Sequence, residues 1–256
     1  MIRLFGLLCL AGLALAGQAH AFKFVASENP PFAYWDPAAK ARPGGAIEPT
    51  GLAVDLALAM AKRAQIPVSQ MMIFPLSRAI QVAQSDSDTC VFPLVRNQER
   101  EALFQWVGPF SKNYWSFYAR NDFKGRIGTL DDARKYRIGS GDKSAKTTYL
   151  AERGFQMDLS TDEALNAVKL ERGRFDLWLV GLYEGRIFAE AAGIHDIKPV
   201  YIVKQVDFYM GCNLATPKGL IDKLQGAYQS LRDDGTVEAI TTPYERKFNF
   251  PATLTK

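Results

Sequence analysis

Phe22-Lys23-Phe24-Val25-Ala26 runs into Ser27-Glu28-Asn29-Pro30-Pro31-Phe32-Ala33-Tyr34, and this junction decides how the rest of the chain is read. The first five residues suit a strand, and the Pro-Pro pair stops either regular element from continuing. Beyond the loop, Leu52, Leu56, Ala59 and Met60 recur at helical spacing within residues 51–65, and Ile66-Pro67 closes that helix. Val68–Phe74 then reads as a strand, Leu76–Gln84 as a helix and Thr89–Leu94 as a strand. Strands alternating with helices predict open α/β sheets.

A second block starts at Thr129-Leu130-Asp131-Asp132, an N-capping residue followed by acidic residues in the first turn. It continues with a short strand at Tyr136–Gly139, a helix at Ala145–Arg153 and a Ser160-Thr161-Asp162-Glu163 capping box opening a helix to Glu171. The strand Phe175–Val180 follows. The second block repeats the βαβ logic of the first without its sequence, so two small sheets are expected. Residues 217–244 read as helical, with an apolar stripe of Leu220, Leu224, Tyr228 and Leu231 whose partner periodicity does not reveal.

The chain has 256 residues, is 48% apolar and carries 31 Lys+Arg against 27 Asp+Glu, which suits a folded chain of one large domain or two lobes. The net charge of +4 is dispersed, so no basic arm or stripe predicts nucleic-acid binding. At the N-terminus Arg3, the apolar run Leu4–Leu15 and Ala19-His20-Ala21 form an export signal, with cleavage expected after Ala21. The apolar run is too short to span a bilayer of roughly 30 Å. Cys9 leaves with the signal, so Cys90 and Cys212 remain, as a disulfide or as two buried thiols. His195 is the sole mature histidine, and neither a metal site nor a cofactor is expected.

Six ordered segments carry a resemblance. They are Pro30–Tyr34; Gly51–Leu56; Arg96-Asn97-Gln98-Glu99-Arg100 through Phe104, Trp106 and Gly108-Pro109-Phe110; Arg137-Ile138-Gly139 with Ser144; Gly173–Trp178; and Leu231–Thr236. Together they resemble bacterial extracellular solute-binding protein family 3, the periplasmic polar amino-acid-binding type, over residues 22–248. The resemblance implies a two-lobed periplasmic binding protein-like α/β fold (type II). Each lobe would be a small mixed sheet flanked by helices, and two crossover hinge segments would join them. Residues 1–21 would be the signal, 22–117 the first part of lobe 1, 118–205 lobe 2 and 206–256 the return to lobe 1. It also implies that the Cys212 strand lies beside the Cys90 strand, which favours the bridge. Function would be capture of a small carboxylate-bearing solute by lobe closure in the periplasm. A monomer would then deliver the guest to a membrane ABC transporter permease.

Within that resemblance Arg100 aligns with the arginine that binds the ligand carboxylate, a task suited to a planar fork of donors. The plain alternative is a surface ion pair with Glu99 or Glu101. Arg96 and Arg78 are further cationic candidates. Ser144 starts a helix whose free amides could face the same anion, or is simply its N-cap. Phe32 and Tyr34 offer aromatic walls, with Trp106 a weaker choice, and Glu28 could meet a positive group. Where the family usually carries an amine-binding Asp this chain has Gly181, so the amine anchor is expected to be missing. Glu184 could replace it but is expected to face solvent. That departure widens the ligand class beyond ordinary α-amino acids.

Two other function classes stand beside capture for transport. Residues 139–147 mimic a phosphate loop, but the required glycines fall on Ala145 and Ser140, which excludes nucleotide binding. The same fold also hosts periplasmic enzymes, including cyclohexadienyl dehydratases and lytic transglycosylases. Only Glu28 and Glu184 could serve as the acid or base, neither with a partner at diagnostic spacing, so no catalytic residue is assigned. A ligand sensor acting on a membrane receptor would share the binding chemistry of a transporter subunit.

Overall fold

A computed structural model describes residues 22–35 and 49–248; the export signal read at 1–21 lies outside the described residues. The strands are β1 (Phe22–Ser27), β2 (Tyr34–Trp35), β3 (Pro49–Thr50), β4 (Val68–Phe74), β5 (Thr89–Val95), β6 (Gln105–Arg120), β7 (Ile138–Gly141), β8 (Asp158–Ser160), β9 (Leu177–Gly181) and β10 (Ile197–Cys212). The helices are α1 (Leu52–Arg63), α2 (Leu76–Ser85), α3 (Ala145–Ala151), α4 (Ala164–Glu171), α5 (Leu182–Ala191), α6 (Lys218–Asp233) and α7 (Thr236–Phe248).

Eight strands form one mixed sheet in the order β4-β1-β5-β10-β6-β9-β7-β8, so the α/β class holds. The two small sheets expected, β4-β1-β5 and β9-β7-β8, are joined into one through the paired crossover strands β10 and β6. β6 and β10, 16 residues each, pair antiparallel from Ile197 opposite Arg120 to Cys212 opposite Gln105, and carry the sheet from end to end. At about 3.3 Å per residue each strand is roughly 50 Å long. Ser111–Arg120 contains neither Gly nor Pro, so nothing local interrupts β6.

Both faces of the sheet are buried at each end, as strands with near-continuous apolar sequence require. In β1 and β5, Phe22, Phe24, Cys90 and Phe92 point into a core shared with Leu56 and Met60 of α1 and Leu224, Tyr228 and Leu231 of α6. Val25 and Val91, one residue out of phase, pack on Ala79 and Ala83 of α2. In β9, Leu177 and Leu179 join Trp115, Phe117 and Leu150 on one face. Trp178 and Val180 join Ala167 and Leu170 of α4 on the other. The partner of the α6 stripe is therefore α1. Among the described residues no helix is long and apolar enough to cross a membrane.

Cys90 and Cys212 stand opposite each other in the β5–β10 register and form a disulfide, S–S 2.06 Å. The opening Pro-Pro loop caps α1 with backbone rather than a side chain: the Phe32 carbonyl accepts from Ala53 N (2.8 Å) and Val54 N (3.3 Å). Only glycine fits between them, because at Gly51 (φ +130°) a Cβ would lie 2.4 Å from that carbonyl oxygen. Thr129 is the expected N-cap, here on a 3₁₀ turn, and Asp132 completes it reciprocally as a capping box. The expected box at Ser160–Glu163 does not form, since Ser160 ends β8 and Glu163 turns inward to Trp178 and Lys146.

Candidate ligand-binding site

Arg100 begins the 3₁₀ turn that follows β5, its backbone N–H donating to Asn97. Its side chain is only 6% exposed. The guanidinium donates to the Val95 carbonyl at 3.2 Å and, more weakly, to the Lys143 carbonyl at 3.5 Å, 43 residues away on the loop before α3. Among the described residues no carboxylate lies within ion-pair distance of it. Burial pulls its pKa down, partly countered by the charge of Glu99. A guanidinium has five donors, so most of this buried cation's capacity is directed at no protein acceptor.

Arg100 lines a cavity of about 70 Å³ together with Ser27, Asn29, Asn113, Ser144, Lys146 and Glu184. That volume is well below the roughly 300–1,000 Å³ of a typical small-molecule pocket, so little free space adjoins Arg100. Across it, Ser144 caps α3: its Oγ accepts from Thr147 N at 3.3 Å and donates to the Gly141 carbonyl at 3.1 Å. The hydroxyl is committed to the helix, and Ser144 borders the cavity as an N-cap. Asn29 Oδ1 is buried without a hydrogen-bond partner.

Glu184 departs most from expectation. The first turn of α5 places it inward rather than toward solvent, and it is 7% exposed. Both carboxylate oxygens accept from Asn113 Nδ2, at 3.2 and 3.1 Å. A Cβ built on Gly181 would lie 1.5 Å from Glu184 Oε2, so the carboxylate fills the space that a side chain at 181 would take. The cavity therefore does carry a carboxyl group, delivered from the next helix. Burial pushes its pKa up to about 7 against the smaller opposing effects of Lys146 and the Asn113 amide. Lys146 itself is paired with Glu163 at 2.9 Å.

The other candidates lie elsewhere. Phe32 is core, edge-to-face with Phe208 (4.9 Å) and Tyr183 (6.1 Å), so it supports the cavity wall from behind. Tyr34, paired through β2 with Thr50, lines a separate surface pocket with Asp55 and Tyr244. Glu28 is exposed while its neighbours Ser27 and Asn29 line the cavity, a displacement of one residue. Arg78 is exposed on α2, over the Phe74 ring at 4.6 Å. Arg96 makes the ordinary ion pair considered for Arg100, donating from Nε to Glu101 at 2.7 Å, and lies over Trp106 and Tyr209. Trp106 Nε1 donates to the Glu101 carbonyl. Arg96→Ala should leave the thermal midpoint within about 2 °C of wild type, since exposed pairs stabilise little; a melt checks this.

A larger cavity of about 540 Å³ lies against Lys112, Tyr114 and Asp207. Lys112 and Tyr114 alternate along β6 with Asn113 and Trp115, which border the smaller cavity, so the two cavities occupy opposite faces of the β6–β10 ribbon. Its charged residues, including Arg232, Glu238 and Glu245, reach solvent, whereas Arg100 and Glu184 are desolvated. Among the described residues no group of three His, Cys, Asp or Glu side chains could hold a metal ion.

The family model for bacterial extracellular solute-binding proteins, family 3, matches residues 24–247. The chain belongs to this family. No curated protein matches the sequence. Among solved structures, a histidine kinase sensor domain with similarity to periplasmic binding proteins is similar with TM-score 0.77 and 20% identity, over 88% of this chain and 96% of its own. A mutant of ArgBP from T. maritima gives TM-score 0.73 at 15% identity, over 90% and 95%. The substrate binding protein of an amino acid ABC transporter gives 0.70 at 16%, over 89% and 98%. At these identities the likeness shows a shared fold.

Proposed function

We propose that this solute-binding protein captures a small carboxylate-bearing polar solute in the cleft between two lobes, in the periplasm. In this reading Arg100 receives the guest's anion, and lobe 1 (residues 22–117 with 206–256) closes against lobe 2 (118–205). The observation that carries it is the buried guanidinium of Arg100, which meets two backbone carbonyls and no carboxylate. A desolvated cation of this kind is costly unless a charged guest completes it, and an anion in a closed cleft forms charge-assisted bonds at low dielectric. The contact from Arg100 to the Lys143 carbonyl supports closure, because it links the β5 end of the sheet to the loop before α3.

Handing the guest to a membrane ABC permease suits a monomeric capture protein, and the likeness to the substrate binding protein of an amino acid ABC transporter supports this role. The measurement is native mass spectrometry of freshly purified protein, followed by a thermal-shift panel of amino acids and organic acids. At least one acid is expected to stabilise the protein, by roughly 2.7 kcal/mol at about 100 times its dissociation constant. Absence of any shift across the acids, or a shift only with uncharged solutes, would refute the reading. Turnover of an acid would replace capture by catalysis.

A further inference from the structure

We propose that Glu184 is a proton-exchanging ligand contact. Ionised, it receives a cationic group of the guest; neutral, it donates a hydrogen bond to an uncharged acceptor, so that pH selects which class of acid the cavity retains. The inference rests on the capture reading above and adds the chemistry of the cavity's second pole.

Three geometric facts carry it. The carboxyl is buried on the cavity wall, 7% exposed. Its side-chain donor is a single amide: Asn113 Nδ2 serves both oxygens beside the backbone N–H of Glu184 itself, and Asn113 Oδ1 accepts from Tyr114 N at 2.8 Å, which holds the amide in that orientation. Finally, the carboxylate lies where Gly181 has no side chain, with Oε2 1.5 Å and Oε1 2.4 Å from the position a Cβ would take. One side-chain amide and one backbone N–H leave part of a carboxylate's acceptor capacity unused.

The charged and titratable groups around it do not neutralise it. From α3, Lys146 faces the cavity but is bound to Glu163 at 2.9 Å, and Glu163 adds a negative charge of its own. From β6, the Tyr118 hydroxyl donates to the Leu182 carbonyl; on α5, Tyr183 lies next in sequence. Arg100 also lines the cavity, held by its two carbonyls. Burial outweighs these neighbours and holds the carboxyl near neutrality, at about 7. An ammonium guest arriving at the neutral acid forms the pair –NH₃⁺···⁻OOC–Glu184 and sends one proton to solvent. A hydroxy acid entering the same place releases none.

The test is a thermal-shift titration of the amino acids, each beside its 2-hydroxy analogue, at pH 6 and pH 8, on wild type, Glu184→Gln and Gly181→Ala. Wild type should hold an amine-bearing probe about tenfold more tightly at pH 8 than at pH 6, the ratio of ionised fractions on either side of about 7. Glu184→Gln should lose that dependence and favour the hydroxy acid. Gly181→Ala, whose methyl group displaces the flexible carboxylate, should do the same if the Gln variant fails to fold. Independently of any ligand, the infrared difference between wild type and Glu184→Gln should show a neutral carboxylic band at pH 6 that is gone at pH 8. Equal affinity for the amine-bearing probe at both pH values, or an ionised carboxylate at pH 6, overturns the inference. Acids that bind without pH dependence would still leave the capture reading standing, whereas no binding by any acid ends that reading as well.

Discussion

Arg100→Met is expected to abolish stabilisation by every acidic guest while making the ligand-free protein harder to unfold. The two effects share one cause. Arg100 is 6% exposed, bonded to the Val95 and Lys143 carbonyls, and has no carboxylate beside it among the described residues. Folding therefore removes a cation from water with no bonded counter-charge and only the partial compensation of Glu99, and a volume-matched apolar side chain avoids that loss. Replacing buried charges in this way is commonly stabilising by about 1–4 kcal/mol. Binding moves in the opposite direction, since truncating one side of a desolvated, hydrogen-bonded charge pair costs about 2–5 kcal/mol. Denaturant unfolding of the free protein and a titration of any acid that binds wild type measure the two effects separately. A variant that unfolds more easily and still binds would show Arg100 to be structural.

Glu184→Gln is expected to make the protein about 3 kcal/mol more stable than wild type at pH 8 and to match it near pH 4. The folded carboxyl titrates at about 7 against an ordinary value of 4.5, and it is buried. A raised folded pKa means that the native state favours the neutral acid. The stability associated with that neutral form is fully present below about 4.5 and is lost as pH rises toward 7. A shift of about 2.5 units corresponds to about 3 kcal/mol at 1.36 kcal/mol per unit. Glutamine cannot ionise, so it escapes the loss. Denaturant unfolding of both proteins at half-unit intervals from pH 4 to 8 should give curves that diverge through this window. Curves that stay parallel would place the Glu184 titration outside it.

Both predictions describe a site that is unfavourable for the free protein. A buried cation and a buried carboxyl group are kept with few internal partners, an arrangement common where stability is traded for function.

How far the sequence was readable depends on the range of the interaction. Near-continuous apolar sequence in Phe22–Ala26 and Phe175–Val180 exposes both strands, because adjacent residues face opposite cores while residues at spacing two share one. The α6 stripe is likewise visible, although its seat against α1 is not. The β6–β10 ribbon went unread because strands as long as 16 residues are uncommon and the Gly108-Pro109 turn signal falls inside β6. At the site, Arg100 was the leading candidate through the resemblance, with Arg96 and Arg78 behind it. Of Arg96 and Arg100, it is Arg96 that proves to be ion-paired with a carboxylate, Glu101. Glu184 was misjudged because a polar residue in a first turn usually faces water.

Local pattern alone determined the α/β class, the order of most elements, the chemistry available at Arg100 and the placement of Cys90 and Cys212 on strands. Tertiary structure decided which charges lose water. The Asn113–Glu184 contact spans 71 residues, and that from Arg100 to Lys143 spans 43. Side-chain periodicity records which face of an element is apolar and carries no term for a partner so far along the chain. Whether a carboxylate ends up solvated or buried beside a glycine is settled only when distant strands meet.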